Sequence, residues 1–166
     1  DRAAFTTSYT YDARNRMVSM IKPDPDGSGP LAATTLGYAY DRAGNQIAMT
    51  DERGCTRKFV YDAMHRVVQT IDPGPNCTAN ESGRPTTTFT FDQVGNQIAR
   101  TDARGNKTEF QFDSLDRPIK SIDPLNGTMQ WQYNAAGQVT RETDELNRNT
   151  DYQHDALGRV VVMTDN

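Results

Sequence analysis

The sequence predicts an all-β fold: a repetitive antiparallel β-hairpin meander of about seven 21-residue repeats that forms a curved, spiralling sheet. Three observations lead to this prediction. An aromatic residue followed by aspartate recurs at a base spacing of 21 residues, a second aromatic lies two residues before each copy, and the turn-forming residues Asp, Asn, Gly and Thr are abundant. No segment carries apolar residues at helical spacing over ten or more positions.

The first strand of each repeat is predicted from its aromatic residues. The aromatic–aspartate pairs are Tyr11-Asp12, Tyr40-Asp41, Tyr61-Asp62, Phe91-Asp92 and Phe112-Asp113, with degenerate copies at Tyr133-Asn134 and His154-Asp155. The aromatics two residues earlier are Tyr9, Tyr38, Phe59, Phe89, Phe110, Trp131 and Tyr152. Because side chains alternate between the two faces of a strand, both aromatic columns are expected on one face of the sheet.

The residues from this Asp onward are predicted to form a hairpin turn. The Asp carboxylate accepts backbone N–H bonds, and a residue that tolerates positive φ stands three positions later. That position holds Asn15, Gly44, His65, Gly95, Asp116, Gly137 or Gly158. Arg follows it in four copies and is expected to neutralise the Asp; these are Arg16, Arg66, Arg117 and Arg159. An Ile/Val-rich strand then returns along the first, so each repeat is one hairpin.

A second turn joins each repeat to the next. It has the pattern Thr-Asp-x-x-Gly, as in Thr50–Gly54 and Thr101–Gly105. Pro/Gly-rich insertions near residues 22–33 and 72–85 fall at this turn and are expected to be surface loops on one edge of the sheet. We therefore interpret residues 1–166 as a single array and as a fragment of a longer protein.

The two cysteines lie in successive copies of the second turn. Cys55 follows one such turn, and Cys77 lies in the second insertion. Adjacent turns on one edge bring such residues near each other, but two cysteines do not make a disulfide framework. The sequence leaves open a disulfide bridge or two thiols.

Composition excludes several classes of protein. Hydrophobic residues are 35% of the chain, which fits one thin apolar layer. The net charge of −4 argues against a nucleic-acid partner that requires a basic field, and no apolar run is long enough to span a bilayer.

Repetition also argues against catalysis. A pair of catalytic carboxylates needs two different environments, whereas here the same Asp recurs in six of the seven repeats. We interpret the Asp columns as turn caps and not as Ca²⁺ ligands, and expect no enzyme activity, cofactor or metal. The residues expected to carry the repeat signature are structural: Tyr11, Asp12, Tyr40, Asp41, Gly44, Tyr61, Asp62, Arg66, Phe91, Asp92, Gly95, Phe112, Asp113, Arg117, Tyr133, Gly137, Asp155, Gly158 and Arg159.

Three stretches resemble the YD repeat, whose pattern is Tyr-Asp-x-x-Gly-Arg-apolar: Tyr61–Val68, Phe112–Ile119 and His154–Val161. From about Tyr9 to Asp165 the chain is similar to the RHS/YD-repeat proteins, which include RHS-family polymorphic toxins, the B and C components of Tc toxins, and teneurins. The resemblance implies a segment of a hollow shell built from a long spiralling β-sheet. In bacterial members this shell encloses a toxic C-terminal polypeptide.

The function implied by the resemblance is that of a non-catalytic wall segment that encapsulates such a polypeptide. The alternative is a carbohydrate- or protein-binding recognition module of a secreted or cell-surface YD-repeat protein. Expected partners are the rest of the same polypeptide and its enclosed toxin, a glycan or protein in the alternative, and the sheet edges of another copy. The expected location is secreted or cell-surface, in a bacterial toxin delivery system.

Overall fold

The structure is a computed structural model that describes residues 6–24, 32–74, 77 and 83–166. These residues form 14 β-strands and no α-helix, and the hydrogen-bonded order of the strands follows the sequence from β1 to β14 in one unclosed sheet. The strands are β1 Ser8–Tyr11, β2 Met17–Ile21, β3 Thr35–Tyr40, β4 Gln46–Thr50, β5 Thr56–Tyr61, β6 Val67–Ile71, β7 Thr86–Phe91, β8 Gln97–Thr101, β9 Lys107–Phe112, β10 Pro118–Ile122, β11 Thr128–Tyr133, β12 Val139–Thr143, β13 Asn149–His154 and β14 Val160–Asp165. The predicted all-β antiparallel meander is confirmed.

The chain divides into two compact units, Asp1–Thr88 and Phe89–Asn166. The first unit holds β1 to β6 and the start of β7, and the second holds the rest of β7 and β8 to β14. That residues 1–166 form a single array stays a prediction. Within the described ranges, no helix is long and apolar enough to cross a membrane.

A β-bulge follows the turn in hairpins of both units. In the first hairpin Thr10 pairs with Ser19 and Tyr11 with Met17, so Val18 has no partner residue. The same shift leaves one residue unpaired in five further hairpins: Ile47, Val68, Ile119, Thr140 and Val161. The bulge therefore falls on the apolar column of the repeat, and the sequence analysis did not predict it.

The sheet is a single layer with little buried volume. Of the described hydrophobic residues only Cys55 and Ala99 are buried, at 3% and 7% exposure, and most other strand residues are half-buried. The aromatic residues share one face with the residues that pair with them, as Phe110 does with Ser121 and Trp131 with Glu142. This arrangement agrees with the modest hydrophobic content of the sequence.

Both insertions close at their bases like ordinary turns. The backbone N–H of Lys22 donates to the carbonyl oxygen of Thr34 at 2.9 Å, and that of Asp72 donates to Pro85 at 2.8 Å. The parts of the predicted loops at residues 25–31, 75–76 and 78–82 lie outside the described residues.

Candidate functional site: the turn and aromatic columns

The turn that follows each aromatic strand is built around its first carboxylate. In the turn from Asp113 to Arg117, the backbone N–H of Asp113 donates to Arg117 O at 3.0 Å, and that of Asp116 donates to Asp113 O at 3.1 Å. Asp113 Oδ1 accepts the backbone N–H groups of Leu115 and Arg117, at 2.9 and 3.1 Å. The carboxylate therefore satisfies N–H groups that the tight turn leaves without a ladder partner.

The second carboxylate oxygen binds the side chain four residues later. Arg117 donates to Asp113 Oδ2 through Nε at 2.7 Å and Nη2 at 2.6 Å. The hydrogen bond from this guanidinium, with those from the backbone, lowers the pKa of Asp113 below its ordinary value. The pKa is also lowered at the first residue of eight other turns: Asp12, Asp41, Asp51, Asp62, Asp92, Asp102, Asp144 and Asp155.

Each carboxylate is thus engaged by its own turn. Among the residues that the structure describes, no group of three or more His, Cys, Asp or Glu is placed to hold a metal ion.

Asn134 shows that the turn needs the side-chain oxygen and not its negative charge, because its Oδ1 accepts the backbone N–H groups of Ala136 and Gln138, each at 3.0 Å.

The fourth turn position adopts the left-handed conformation in every copy. The residues there have positive φ: Asn15, Gly44, His65, Gly95, Asp116, Gly137 and Gly158. Gly44 has the large φ of 103°, whereas Asn15 has 60°, which lies in the region that non-glycine residues adopt with least strain.

The Arg of the signature also contacts the next repeat. The guanidinium carbon of Arg117 lies 4.6 Å from the ring centroid of Tyr133, and its Nη1 donates to Asn134 O at 3.3 Å. Arg16 lies at the same 4.6 Å from Tyr40 and donates to Asp41 O at 3.0 Å. Consecutive turns are therefore coupled through one side chain, by an ion pair and a cation–π contact.

The tyrosine hydroxyls of the signature reach backward along the sheet. Tyr133 donates its hydroxyl to Pro118 O at 2.7 Å. Tyr40 and Tyr61 donate in the same way to Met17 O and Gln46 O, each at 3.0 Å. The three acceptors are each the first residue of a returning strand, directly before the bulged residue. The hydroxyl therefore satisfies a carbonyl at the bulge of the preceding repeat.

The remaining signature residues take corresponding positions. Phe91 and Phe112 end β7 and β9 as the tyrosines end β3, β5 and β11, and Tyr11 ends β1 with its side chain exposed. Arg66 and Arg159 each pair with the Asp of their own turn, at 2.7 Å in both cases.

Along the opposite edge, the turn from Asp51 to Cys55 is tied to both insertions. Lys22 forms an ion pair with Glu52 on one side. On the other side Cys55 and Cys77 form a disulfide, with 4.7 Å between their Cα atoms. The sequence left open whether these two cysteines form a bridge or remain thiols, and in the structure they form a bridge.

Arg84 holds the base of the second insertion. Its guanidinium donates to Asp72 O at 2.9 Å and to Thr56 O on the neighbouring strand. The sequence analysis did not single out Arg84, because its role depends on which carbonyl groups lie at the base of the loop.

A polar group in the aromatic face was also missed. Glu142 accepts the indole N–H of Trp131 at 3.0 Å and the hydroxyl of Tyr152 at 2.7 Å. The hydrogen bond to Glu142 raises the pKa of the Tyr152 hydroxyl. The sequence did contain a signal for this group, because Glu142 stands at a repeat position that holds Met, Thr, Arg or Ser in the other copies.

Comparison with known proteins adds a family and a set of similar structures. The family model described as RHS Repeat matches residues 40–76, 91–128 and 133–166. The crystal structure of TcdB2-TccC3 has a TM-score of 0.79 at 18% identity, over 98% of this chain and 9% of that chain. The structures of TcdB2-TccC3-Cdc42 and of TcdB2-TccC3 without its hypervariable C-terminal region have TM-scores of 0.78 and 0.77, each at 17% identity with the same coverage.

At this identity the similarity shows the fold, and the chain spans about a tenth of the length of these solved chains. No curated protein is similar enough to the sequence to count as a match.

Proposed function

Because this chain belongs to the RHS repeat family, we propose that it is a non-catalytic wall segment of an RHS shell that encloses a toxic C-terminal polypeptide of the parent protein. The observation that carries the proposal is the tie between consecutive repeats. Arg117 joins its own turn to the ring of Tyr133 and to the backbone of Asn134 in the next repeat. These contacts hold neighbouring hairpins of the sheet together. A wall of this kind acts sterically, by keeping proteases and solvent from what it encloses.

The chemistry of the turns supports a structural role. A general acid or base needs a carboxyl group whose pKa is raised toward neutrality. The turn carboxylates have pKa values lowered by their own N–H and guanidinium donors. The oxygens of these carboxylates already accept hydrogen bonds from groups of their own turns.

Limited proteolysis of the full-length parent protein tests encapsulation. We expect the segment C-terminal to the repeats to survive in the folded protein, as identified by mass spectrometry, and to be cut once the sheet is unfolded by denaturant. Free cleavage of that segment in the native protein would refute encapsulation. A parent truncated before the C-terminal segment controls for cleavage within the wall itself.

Recognition of a glycan or protein is the second candidate function. It is favoured by Trp131 and Tyr152, which lie on the aromatic face around Glu142. Aromatic rings beside a carboxylate suit the apolar face and the hydroxyl groups of a sugar. Glycan-array binding by the isolated chain tests this candidate: recognition predicts binding that Trp131→Ala abolishes and that the same change at the exposed Leu157 leaves intact.

The proposed partners are the rest of the parent polypeptide and its enclosed toxin, and the proposed location is a secreted bacterial toxin system. The Cys55–Cys77 disulfide supports this location, because disulfides persist mainly in oxidising compartments. Mass spectrometry of the parent protein purified from its native source, with thiols blocked at lysis, would find both cysteines protected from alkylation. Alkylated cysteines would contradict the proposal.

A further inference from the structure

The residue that ends each hairpin turn alternates between two kinds along the chain. It is Arg in the odd-numbered repeats and an amide residue in the even-numbered ones: Arg16, Asn45, Arg66, Asn96, Arg117, Gln138 and Arg159. The guanidinium of Arg lies farther from the backbone than the amide group of Asn or Gln, so it reaches more of the next repeat. Each repeat therefore meets the next through one of two junctions, which we call the arginine junction and the amide junction after this residue.

The arginine junction shows what a guanidinium binds at this place. Arg117 lies 4.6 Å from the ring centroid of Tyr133 and donates to Asn134 O at 3.3 Å. That carbonyl oxygen also accepts the backbone N–H of Gly137 at 3.0 Å, so the guanidinium uses its second lone pair. Arg16 makes the same two kinds of contact in the first unit. The recurring guanidinium site is a ring face beside a turn carbonyl.

The amide junction between the fourth and fifth repeats leaves these groups open. Asn96 Nδ2 donates to Asp92 Oδ2 at 3.0 Å and to Asp116 Oδ1 at 2.8 Å. Among the described residues, no cation lies over the ring of Phe112, and Asp116 Oδ2 has no hydrogen-bond donor. Over the same part of the chain, Asp113 O accepts only the N–H of Asp116, at 3.1 Å. A ring face, a carbonyl lone pair and a carboxylate oxygen therefore remain available together.

A surface cavity lies at this junction. Its volume is about 620 Å³, and Asn96, Phe112 and Asp116 are among the residues that line it. The equivalent amide junction of the first unit has a cavity of about 440 Å³, with Asp41 and Tyr61 in its lining. Both volumes lie in the range of small-ligand pockets, roughly 300–1,000 Å³. The space beside the ring is therefore a repeated feature of the amide junction.

The charge of the larger cavity favours a cation. Its lining includes four carboxylates: Asp92, Glu109, Asp113 and Asp116. Arg117 pairs with Asp113, and Lys107 pairs with Glu109. Asp116 accepts its hydrogen bond from a neutral amide and forms no ion pair within the described residues. A cation that enters the cavity therefore gains an ion pair with Asp116.

We propose that the amide junction between the fourth and fifth repeats binds the guanidinium of an arginine side chain that a partner polypeptide supplies. The guanidinium stacks on Phe112, in the manner of the arginine junctions, and donates to Asp113 O and Asp116 Oδ2. Its planar set of donors reaches both acceptors while the ring is covered, which the single ammonium of lysine does not achieve. The inference does not depend on encapsulation, because these contacts belong to the turn and not to what the sheet encloses.

An NMR titration of the chain with N-acetylarginine amide tests the proposal. We expect saturable shifts of the backbone amide signals of Phe112 and Asp116, with a dissociation constant of about 1–10 mM. N-acetyllysine amide at the same concentrations is expected to give smaller shifts at these residues. The absence of saturable shifts, or an equal response to the lysine compound, would overturn the proposal.

Substitutions at the junction identify the site. Asn96→Arg supplies a guanidinium from the chain itself and is expected to abolish the shifts at Phe112, whereas Asn45→Arg, the same change at the equivalent junction of the first unit, leaves them intact. Asp116→Asn keeps the turn, since Asn15 has the same φ of 60°, and is expected to weaken binding about threefold or more.

The dispersion of the amide spectrum establishes that each variant is folded. Binding retained in Asn96→Arg, an equal loss in Asn45→Arg, or an unchanged affinity in Asp116→Asn would contradict the proposed site. The proteolysis test of encapsulation is independent of these results, so the two proposals fail separately.

Discussion

The guanidinium carbon of Arg117 lies 4.6 Å from the ring centroid of Tyr133 in the next repeat, while its Nε and Nη2 bind Asp113 in its own turn. One side chain thus joins the two most regular columns of the sequence, the Asp and the aromatic residue that precedes it. The signature is therefore a device for coupling neighbouring repeats as well as for closing a turn. In a repeat protein, contacts between neighbouring repeats supply much of the free energy of folding.

Removal of this coupling is expected to destabilise the chain. Arg117→Ala should lower the free energy of unfolding in urea by about 1–2 kcal/mol, through loss of the cation–π contact and of hydrogen bonds. Arg148→Ala is the matched control, because Arg148 binds the Asp of its own turn but is 68% exposed, against 26% for Arg117. Its loss is expected to change the free energy by less than about 0.5 kcal/mol. Equal effects would contradict the coupling.

The contribution of the signature tyrosine hydroxyl to stability can be tested by removing it in one repeat and adding it in another. Tyr133→Phe removes the bond to Pro118 O and is expected to destabilise by about 0.5–1.5 kcal/mol. Phe112→Tyr places a hydroxyl in the equivalent position toward Gln97, the first residue of β8, and is expected to stabilise by a similar amount. Thermal unfolding of both variants measures the effect. A Phe112→Tyr variant no more stable than the parent would show that the hydroxyl does not reach the carbonyl.

Acid is expected to unfold the chain through its turn carboxylates. Because hydrogen bonds lower the pKa of residues such as Asp12, Asp113 and Asp144 in the folded state, their stabilising contribution is complete above the unfolded pKa of about 4. It is lost as the pH falls through the lower folded values. Circular dichroism between pH 7 and pH 2 follows this transition.

Asp113→Asn separates charge from hydrogen bonding in that experiment. The variant should fold at neutral pH, as the natural Asn134 turn does, and should show a weaker dependence of stability on pH below 4. Glu109→Gln in strand β9 is the control and leaves the turn carboxylates in place. An unchanged acid transition in Asp113→Asn would exclude this carboxylate as a contributor.

Substitutions at two glycines distinguish backbone strain in the folded state from reduced flexibility of the unfolded chain. Gly44→Ala forces a side chain into a φ of 103° and is expected to destabilise by about 1–2 kcal/mol. Gly37→Ala in β3 adds a Cβ at an ordinary 3.5 Å from Thr50 and should change the free energy little or favourably. Chemical denaturation of both variants gives the comparison, and a reversed order would be inconsistent with the turn geometry.

The disulfide is expected to stabilise the first unit. Its sequence separation of 22 residues corresponds, in the chain-entropy model, to about 3 kcal/mol. Reduction with a dithiol should lower the urea midpoint of the parent by the corresponding amount. The doubly substituted Cys55→Ser, Cys77→Ser chain should start at the lower midpoint and not respond to the reductant, and any response there would point to another effect of the reagent.

The sequence by itself determined the elements whose cause is local. The alternation of aromatic residues, the Asp at each turn and the residue with positive φ act over four or five neighbouring positions, so the hairpins from β1 to β14 follow from the pattern. The repeat also placed Cys55 and Cys77 on one edge, since equivalent positions of successive repeats share an edge of the sheet.

The tertiary structure decided what depends on contacts between strands. The bulge at Val18 and its equivalents arises when two strands meet, and the hydroxyl of Tyr133 has a partner only because the bulge presents a carbonyl. The bond between Cys55 and Cys77, the reach of Arg84 to Thr56 and the position of Glu142 between Trp131 and Tyr152 likewise depend on neighbouring strands. A local sequence pattern specifies none of these contacts, because each one joins atoms from separate strands or loops of the sheet.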